Sequence, residues 1–386
     1  MRPKILHIIP SLGQGGAERV LANLLSSQHL SIDHHVLSLL ADEPFFRLEA
    51  PVETLGLAKE SSSAQALGKL YQLRRCVNRI APDVVHGWLY HGNAFSLGAA
   101  GLGIPILWSI HNTTLSPTNS KRSTRLLDRV CAAGSRYIPT RVLYCSETAR
   151  LVHERNGYTP SRGVVVYNGV DLSAFRFDVL QRLKVRTALE LAEDEFAIAV
   201  IGRFDHQKNH ALIAKAFASV VSSTNARLLF VGAGCSADNT QLSAMLDAVG
   251  ARDRSILLGP RHDMSALLSA CDVVVIGSSY GEALPMVAIE AAAAGLPIVA
   301  TDVGDVARFA ELPDDVVPRD DVDAMSKALL RVHARHARSV RWEGLGGERA
   351  KMLELYSLEH MSRAYLDLYH ALIRCGADRS SAVRSL

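Results

Sequence analysis

Aromatic residues are scarce in this 386-residue chain, at 6%, and neither sign of charge dominates, with 42 Lys and Arg against 39 Asp and Glu. The resulting net charge of +3 is too small for a protein that holds nucleic acid by bulk electrostatics, so no nucleic-acid partner is expected and any basic surface must be local. Cysteines are few and scattered (Cys76, Cys131, Cys145, Cys235, Cys271, Cys375), with no C-x-x-C pair. That excludes a disulfide framework or a thiolate zinc site and fits a reducing, cytoplasmic compartment. Long apolar runs are missing as well. Residues 87–120 carry no Asp, Glu, Lys or Arg, yet five glycines, two prolines and three asparagines interrupt them, so no membrane-spanning helix fits. No secretory leader is expected, because "MRPKILHIIP" reaches Pro10 and then glycines before an apolar core can form.

What remains is a globular composition, 48% apolar, in a chain too long for one ordinary core. Short apolar runs alternate with helical patterns throughout. Strands are expected at 4–9, 35–40, 83–86, 104–110, 141–145 and 163–167, and again at 196–201, 227–231, 255–258, 272–276 and 297–301. Most are continuous rather than alternating, as in parallel strands buried on both faces. Helices are expected between them at 16–28, 146–155, 208–222, 263–270 and 286–294. The pattern predicts two doubly wound α/β domains that meet near 167–175, with one long helical pattern at 356–386. Ligands of such sheets sit beyond the carboxyl ends of strands, and the chemistry is sought there.

The first strand runs into "SLGQGGAERV", whose glycines suggest a phosphate cradle. A dinucleotide fingerprint needs glycines at relative positions 1, 3 and 6; from Gly13 the third position is Glu18, so that reading weakens. Strand 104–110 ends at His111, where a substrate-contacting side chain would sit, although a lone histidine at a strand end is more often structural. After strand 196–201, "GRFDHQKNH" places Arg203 and Lys208 where they would neutralise a diphosphate, one as a fork and one as a point charge; solvated loop cations would look the same. After strand 272–276, Glu282 and Glu290 flank a helix start, with Pro285 expected at its first position. The amides of Leu284, Met286 and Val287 would then be available to an anion. A surface glutamate followed by a solvent-facing helical one gives the same spacing. "DVD" at 321–323 reads as a helix cap rather than a metal motif.

Taken together, "GGAERVLANLL", "WSIHNT", "VYNGVD", "IGRFDHQKNH", "VGAG", "LGPRHDM" and the E-x7-E segment "GEALPMVAIEAAAAGLPIVATDVG" resemble, in order and spacing, the retaining glycosyltransferases of family 4. The N-terminal wording is most similar to enzymes of bacterial O-antigen, lipopolysaccharide, capsule or exopolysaccharide assembly. The resemblance implies a GT-B fold, two Rossmann-like domains facing an interdomain cleft. Residues 1–172 would bind acceptor, 173–355 would bind donor, and the helix 356–386 would cross back to the first domain.

It further implies that Arg203 and Lys208 hold the donor diphosphate and that Glu290 takes the ribose hydroxyls. Glu282 would contact the transferred sugar, His111 would approach that sugar from the N-terminal domain, and Arg261 would lie near the base. Gly15 and Gly16 would face the diphosphate, beside donor-site backbone at Ala283 and Leu284. Ala283 departs from the family, which often has glycine there. The donor would be a nucleotide-diphosphate sugar, most simply a UDP-sugar. The acceptor would be a lipid-linked or other glycan, and neither cofactor nor divalent metal is expected. A nucleotide-sugar epimerase of the same fold, or a non-catalytic nucleotide-sugar-binding subunit, is the competing reading. Segment 116–141, with six basic residues and one acidic, is a candidate contact for an anionic membrane surface on the cytoplasmic side.

Overall fold

The computed structural model describes residues 2–57, 63–116, 120–336 and 347–384. They form two compact units, one made of residues 1–169 with 358–386 and the other of residues 170–357.

The first unit is a seven-stranded parallel sheet in the order β3-β2-β1-β4-β5-β6-β7. Its strands are β1 (Lys4–Ile9), β2 (Asp33–Ser38), β3 (Val52–Thr54), β4 (Val84–Trp88), β5 (Ile106–Ile110), β6 (Arg141–Tyr144) and β7 (Gly163–Val165). The crossover helices include α1 (Gly16–Gln28), α2 (Ser63–Ile80), α3 (Leu89–Phe95), α4 (Arg122–Gly134) and α5 (Glu147–Arg155).

The second unit has the parallel order β10-β9-β8-β11-β12-β13. Its strands are β8 (Ala197–Ile201), β9 (Arg227–Val231), β10 (Ser255–Gly259), β11 (Val273–Ile276), β12 (Ile298–Thr301) and β13 (Val316–Val317). Its helices are α6 (Val179–Ala188), α7 (His210–Val221), α8 (Thr240–Asp247), α9 (Met264–Ala270), α10 (Met286–Ala293), α11 (Val322–His336) and α12 (Gly347–Glu354). The last helix, α13 (Leu358–Arg384), belongs to the first unit. The expected fold class holds: two doubly wound α/β sheets.

The expected strands all form, with corrections at their ends. Strand 35–40 lies two residues earlier, because the ring of buried His34 has a hydrogen-bonding partner in His7, 2.9 Å away, so a polar residue continues the strand. Two short edge strands, β3 and β13, were not expected; β3 is exposed on every residue and carries no apolar run. Helix 208–222 starts at His210, since Asn209 adopts a left-handed backbone and its side chain accepts from the Leu212 amide. Pro285 is the cap of α10 rather than its first residue, its ψ of 124° being extended. Asp321 does cap α11, accepting from the Ala324 amide at 2.9 Å.

One buried ion cluster sets the second sheet. Asp272, just before β11, accepts from the Ala197 amide at 2.7 Å and from Arg182 at 3.2 Å, with Arg186 at 3.6 Å. The carboxylate thereby pins the starts of β8 and β11 side by side, and those two strands are where the sheet changes direction. α13 performs the equivalent task in the first unit. Its Ser362 carbonyl accepts from Gln28 on α1 at 2.6 Å, and its Tyr365 and Tyr369 pack on β4 side chains.

Candidate active site

In a doubly wound sheet the strand order reverses at one point, and the crevice there receives ligands. In the second unit that point lies between β8 and β11. The loops leaving these two strands carry Arg203, Lys208, Glu282, Ala283 and Leu284, so five of the expected site residues arise at one place.

Two close backbone approaches shape it. A Cβ on Gly232 would fall 2.6 Å from the Gly202 carbonyl carbon, and Gly232 has φ +138°, so only glycine lets the β9 loop lie against the β8 loop. Gly304, at φ +58°, packs on the carbonyls of Glu282 and Ala283, and the Asp305 amide donates to the Ala283 oxygen at 2.9 Å. Ala283 itself has no left-handed backbone, so the expected glycine is not required there. The left-handed backbone in this loop is at Gly281, with φ +80°.

Lys208 lies with its stem across Gly202, and its ammonium donates to Glu282 Oε1 at 2.6 Å. The Ser278 hydroxyl donates to the same oxygen at 2.8 Å. Ser278 is in turn held by Thr301, whose hydroxyl donates to the Ser278 carbonyl at 2.6 Å. The two groups expected to hold phosphate and sugar therefore hold each other. Arg203 lies apart from this pair; it faces Gln207 Oε1 at 3.2 Å and Asp205 at 3.5 Å, half exposed. Arg261 is taken up by Asp263 at 2.8 Å on the loop after β10. The surface alternative for the glutamates is overturned, since Glu282 is 8% exposed and Glu290 2%. α10 is buried on every residue, so Glu290 sits in a dry helix whose first amides, at Met286 and Val287, have no intrahelical acceptor. Asn209 adds a brace, donating to Ser279 at 2.9 Å and to Asp320 at 2.7 Å, which ties three loops around Lys208.

His111, Gly15 and Gly16 belong to the first unit. Gly15 caps α1 with an extended backbone, and the Glu18 side chain folds back over it, near Ser11 at 3.2 Å. Glu18 thus puts a carboxylate at the third-glycine position of a dinucleotide loop. Nothing lies within 4 Å of a Cβ built on Gly16, so the loop has open space there.

His111 stacks on Trp88, with ring centres 5.0 Å apart and planes at 9°, and Tyr365 stacks near Trp88 at 6.4 Å and 8°. Both His111 ring nitrogens are shielded from water, and Asn168 is the side chain that faces the ring. Burial pushes its pKa down to about 4, against a weak opposing pull from Asn168, so the ring is neutral.

Beneath it runs a histidine cluster that the sequence reading missed. Trp88 Nε1 donates to His7 Nδ1 at 3.1 Å, which puts the His7 proton on Nε2, where it donates to His34 Nδ1. His86 Nδ1 meets the Tyr369 hydroxyl at 2.9 Å. The signal was present as single histidines inside apolar strands, "KILHII" and "DVVH". Among the described residues no three His, Cys, Asp or Glu side chains gather as a metal site.

Residues 14–174 match the Glycosyltransferase Family 4 model, and residues 181–343 match Glycosyl transferases group 1. HepE of Anabaena, solved in complex with UDP-glucose, superposes with a TM-score of 0.82 at 18% identity, over 95% of this chain and 99% of that one. This chain has the two-module GT-B fold. Other GT-B structures agree, among them WaaG, a glycosyltransferase involved in lipopolysaccharide biosynthesis (TM-score 0.69, 15% identity, 97% of this chain and 98% of that one). A D-inositol 3-phosphate glycosyltransferase of Mycobacterium marinum is 31% identical over 207 residues, 48% of this chain. The match spans 43% of that relative's length, less than half. In GT-B terms the Lys208–Glu282 pair lies in the group 1 module, and His111 in the family 4 module.

Proposed function

We propose that the protein is a retaining glycosyltransferase that moves a sugar from a nucleotide-diphosphate sugar, a UDP-sugar, to a lipid-linked or other glycan acceptor in bacterial cell-surface polysaccharide assembly. The observation that carries this reading is the buried carboxylate pair Glu282 and Glu290 at the switch point of the second sheet, with Lys208 seated on one of them. Both matched family models and the UDP-glucose complex of HepE support the donor class.

The chemistry is leaving-group departure. The anomeric carbon–oxygen bond breaks toward the diphosphate, and Lys208 and Arg203 neutralise the developing charge in place of a metal ion. An acceptor hydroxyl forms the new bond on the same face and gives up its proton to the departing phosphate oxygen. Glu282 and neutral His111 bind the transferred sugar, Glu290 binds ribose, and Gly15, Gly16, Arg261, Ala283 and Leu284 complete the donor contacts through backbone and a guanidinium. Orientation supplies much of the rate.

The test is a nucleotide-sugar screen by thermal shift, followed by release of nucleotide diphosphate with and without chelator. A UDP-sugar should stabilise the protein and be turned over equally in excess EDTA. Binding without turnover on any acceptor would favour the non-catalytic alternative, and interconversion of the sugar nucleotide would favour an epimerase.

We also propose that α4 contacts an anionic membrane on the cytoplasmic side. Leu126 and Val130 are 62% and 53% exposed on the helical stripe that carries Arg122 and Arg129, and Tyr137, 77% exposed, follows it with Arg136 over its ring. Residues 117–119 of the basic segment lie outside the described residues. No helix among the described residues is long and apolar enough to cross a membrane. Vesicles containing phosphatidylglycerol should recruit the protein at low salt and release it at high salt. Equal partitioning to neutral and anionic vesicles would refute the contact.

A further inference from the structure

Next to His111, at the end of β5, stands Asn112, and a relay of buried groups decides which way its amide faces. His153 on α5 places Nδ1 2.8 Å from the Ala149 carbonyl oxygen. A carbonyl only accepts, so Nδ1 carries the proton. Burial lowers the pKa of this ring and keeps it neutral, which leaves Nε2 as an acceptor. The hydroxyl of Tyr90 on α3 is 2.8 Å from Nε2 and must donate to it. With its proton committed, the Tyr90 oxygen can only accept from Asn112, 2.9 Å away. The amide nitrogen of Asn112 therefore points at Tyr90, and its carbonyl oxygen points out of the network. No described residue donates to that oxygen, and the side chain is half-buried at a strand end beside His111.

We propose that Asn112 Oδ1 accepts a hydrogen bond from a sugar hydroxyl, and that Tyr90 and His153 are positioning residues that fix its orientation. The inference rests on the carbohydrate-transfer reading above. The hydroxyl belongs either to the transferred sugar of the donor or to the acceptor sugar, and the arms of the experiment separate the two.

The relay is read first, without any substrate, from the ring-nitrogen shifts of histidine-labelled protein. His153 should be the Nδ1–H tautomer; the Nε2–H tautomer would overturn the orientation argument outright. Binding of UDP and of UDP-glucose is then measured for wild type, Asn112→Ala, Tyr90→Phe and the double variant, together with transfer to glucose and myo-inositol. One neutral hydrogen bond corresponds to roughly fivefold. About that loss for UDP-glucose but not UDP assigns the hydroxyl to the donor sugar. A similar rise in KM for a free sugar, with donor binding intact, assigns it to the acceptor. The double variant should lose no more than Asn112→Ala alone, because both changes remove the same contact. Unchanged binding and transfer in Asn112→Ala, or additive losses in the double variant, would overturn the proposal. Failure of wild type to bind either nucleotide would instead strike the transfer reading, and titration of the free sugars against the Asn112 side-chain amide signals would still decide this contact: shifts support it and their absence refutes it.

Discussion

Exchange of Glu282 for alanine is expected to lower turnover by roughly 10²–10³-fold while leaving UDP affinity unchanged or tighter, the magnitude being that of losing one preorganised charge-stabilising group. The reason for the split is the 2.6 Å contact between Lys208 and Glu282. The ammonium and carboxylate satisfy one another, so a diphosphate must draw Lys208 away from its partner. Removing Glu282 removes that competition and frees Lys208 for phosphate.

The reciprocal change behaves differently. Lys208→Ala deletes a charged donor, worth about 1.5–3 kcal/mol, or about ten- to hundredfold in UDP affinity. It also strands a carboxylate that is 8% exposed, with Ser278 still donating to it, so stability should fall as well. Calorimetry with UDP beside turnover of the UDP-sugar separates these effects. Parallel losses of binding and turnover in Glu282→Ala would refute an exchange of partners at Lys208.

A second large effect concerns acid. His34, His111 and His210 have pKa values pushed down to about 4 by burial, and burial holds His7, His86 and His153 below their ordinary value as well. In the unfolded chain each imidazole titrates near 6.5. Between about pH 6.5 and 4 the unfolded state therefore binds protons that the native state refuses, and stability falls as pH falls. It is complete above about pH 6.5.

Each proton taken up costs about 1.4 kcal/mol per pH unit, so several together rival a total stability of about 5–15 kcal/mol. The melting temperature should drop steeply from pH 6.5 to 5, with more than one proton absorbed on unfolding. His86→Phe should flatten that slope, although it also removes the Tyr369 partner. A melting temperature independent of pH over this window would contradict the neutral cluster.

How much of this could be read in advance varies by residue. The β1–α1 unit was legible to the residue at 16–28, because a continuous apolar run, a glycine turn and a 3.6-residue period agree there. The grouping of Lys208 with Glu282 was legible only as shared strand ends; that they would bind each other depends on a tertiary distance between positions 74 apart. Glu290 was ambiguous because helix periodicity cannot distinguish a dry face from a wet one when every other residue of the helix is apolar. The edge strand β3 had no apolar run to read, and the two valines of β13 are too short a run to stand out. Ser278, Tyr90 and His153 were invisible as functional groups, since a serine, a tyrosine and a histidine acquire roles only through partners that the fold supplies. Nothing in the sequence sets His7, His34 and His86 apart as a group; their rings become neighbours only when β1, β2 and β4 lie side by side.

The second unit is an insertion: the chain leaves the first unit at Gly169, and residue 358 begins its return, while Val170 and Ser357 pair with each other. During vectorial synthesis the inserted module has emerged whole before the first unit possesses α13, whose Tyr365 and Tyr369 cover Trp88 and His86. The inserted module is thus free to fold early on the ribosome, whereas the sheet that leads into His111 must wait, with part of its core uncovered, for residues 358–376. A nascent chain stalled before them would expose that apolar face to chaperones, so the order of translation and the order of folding run in opposite senses for the two modules.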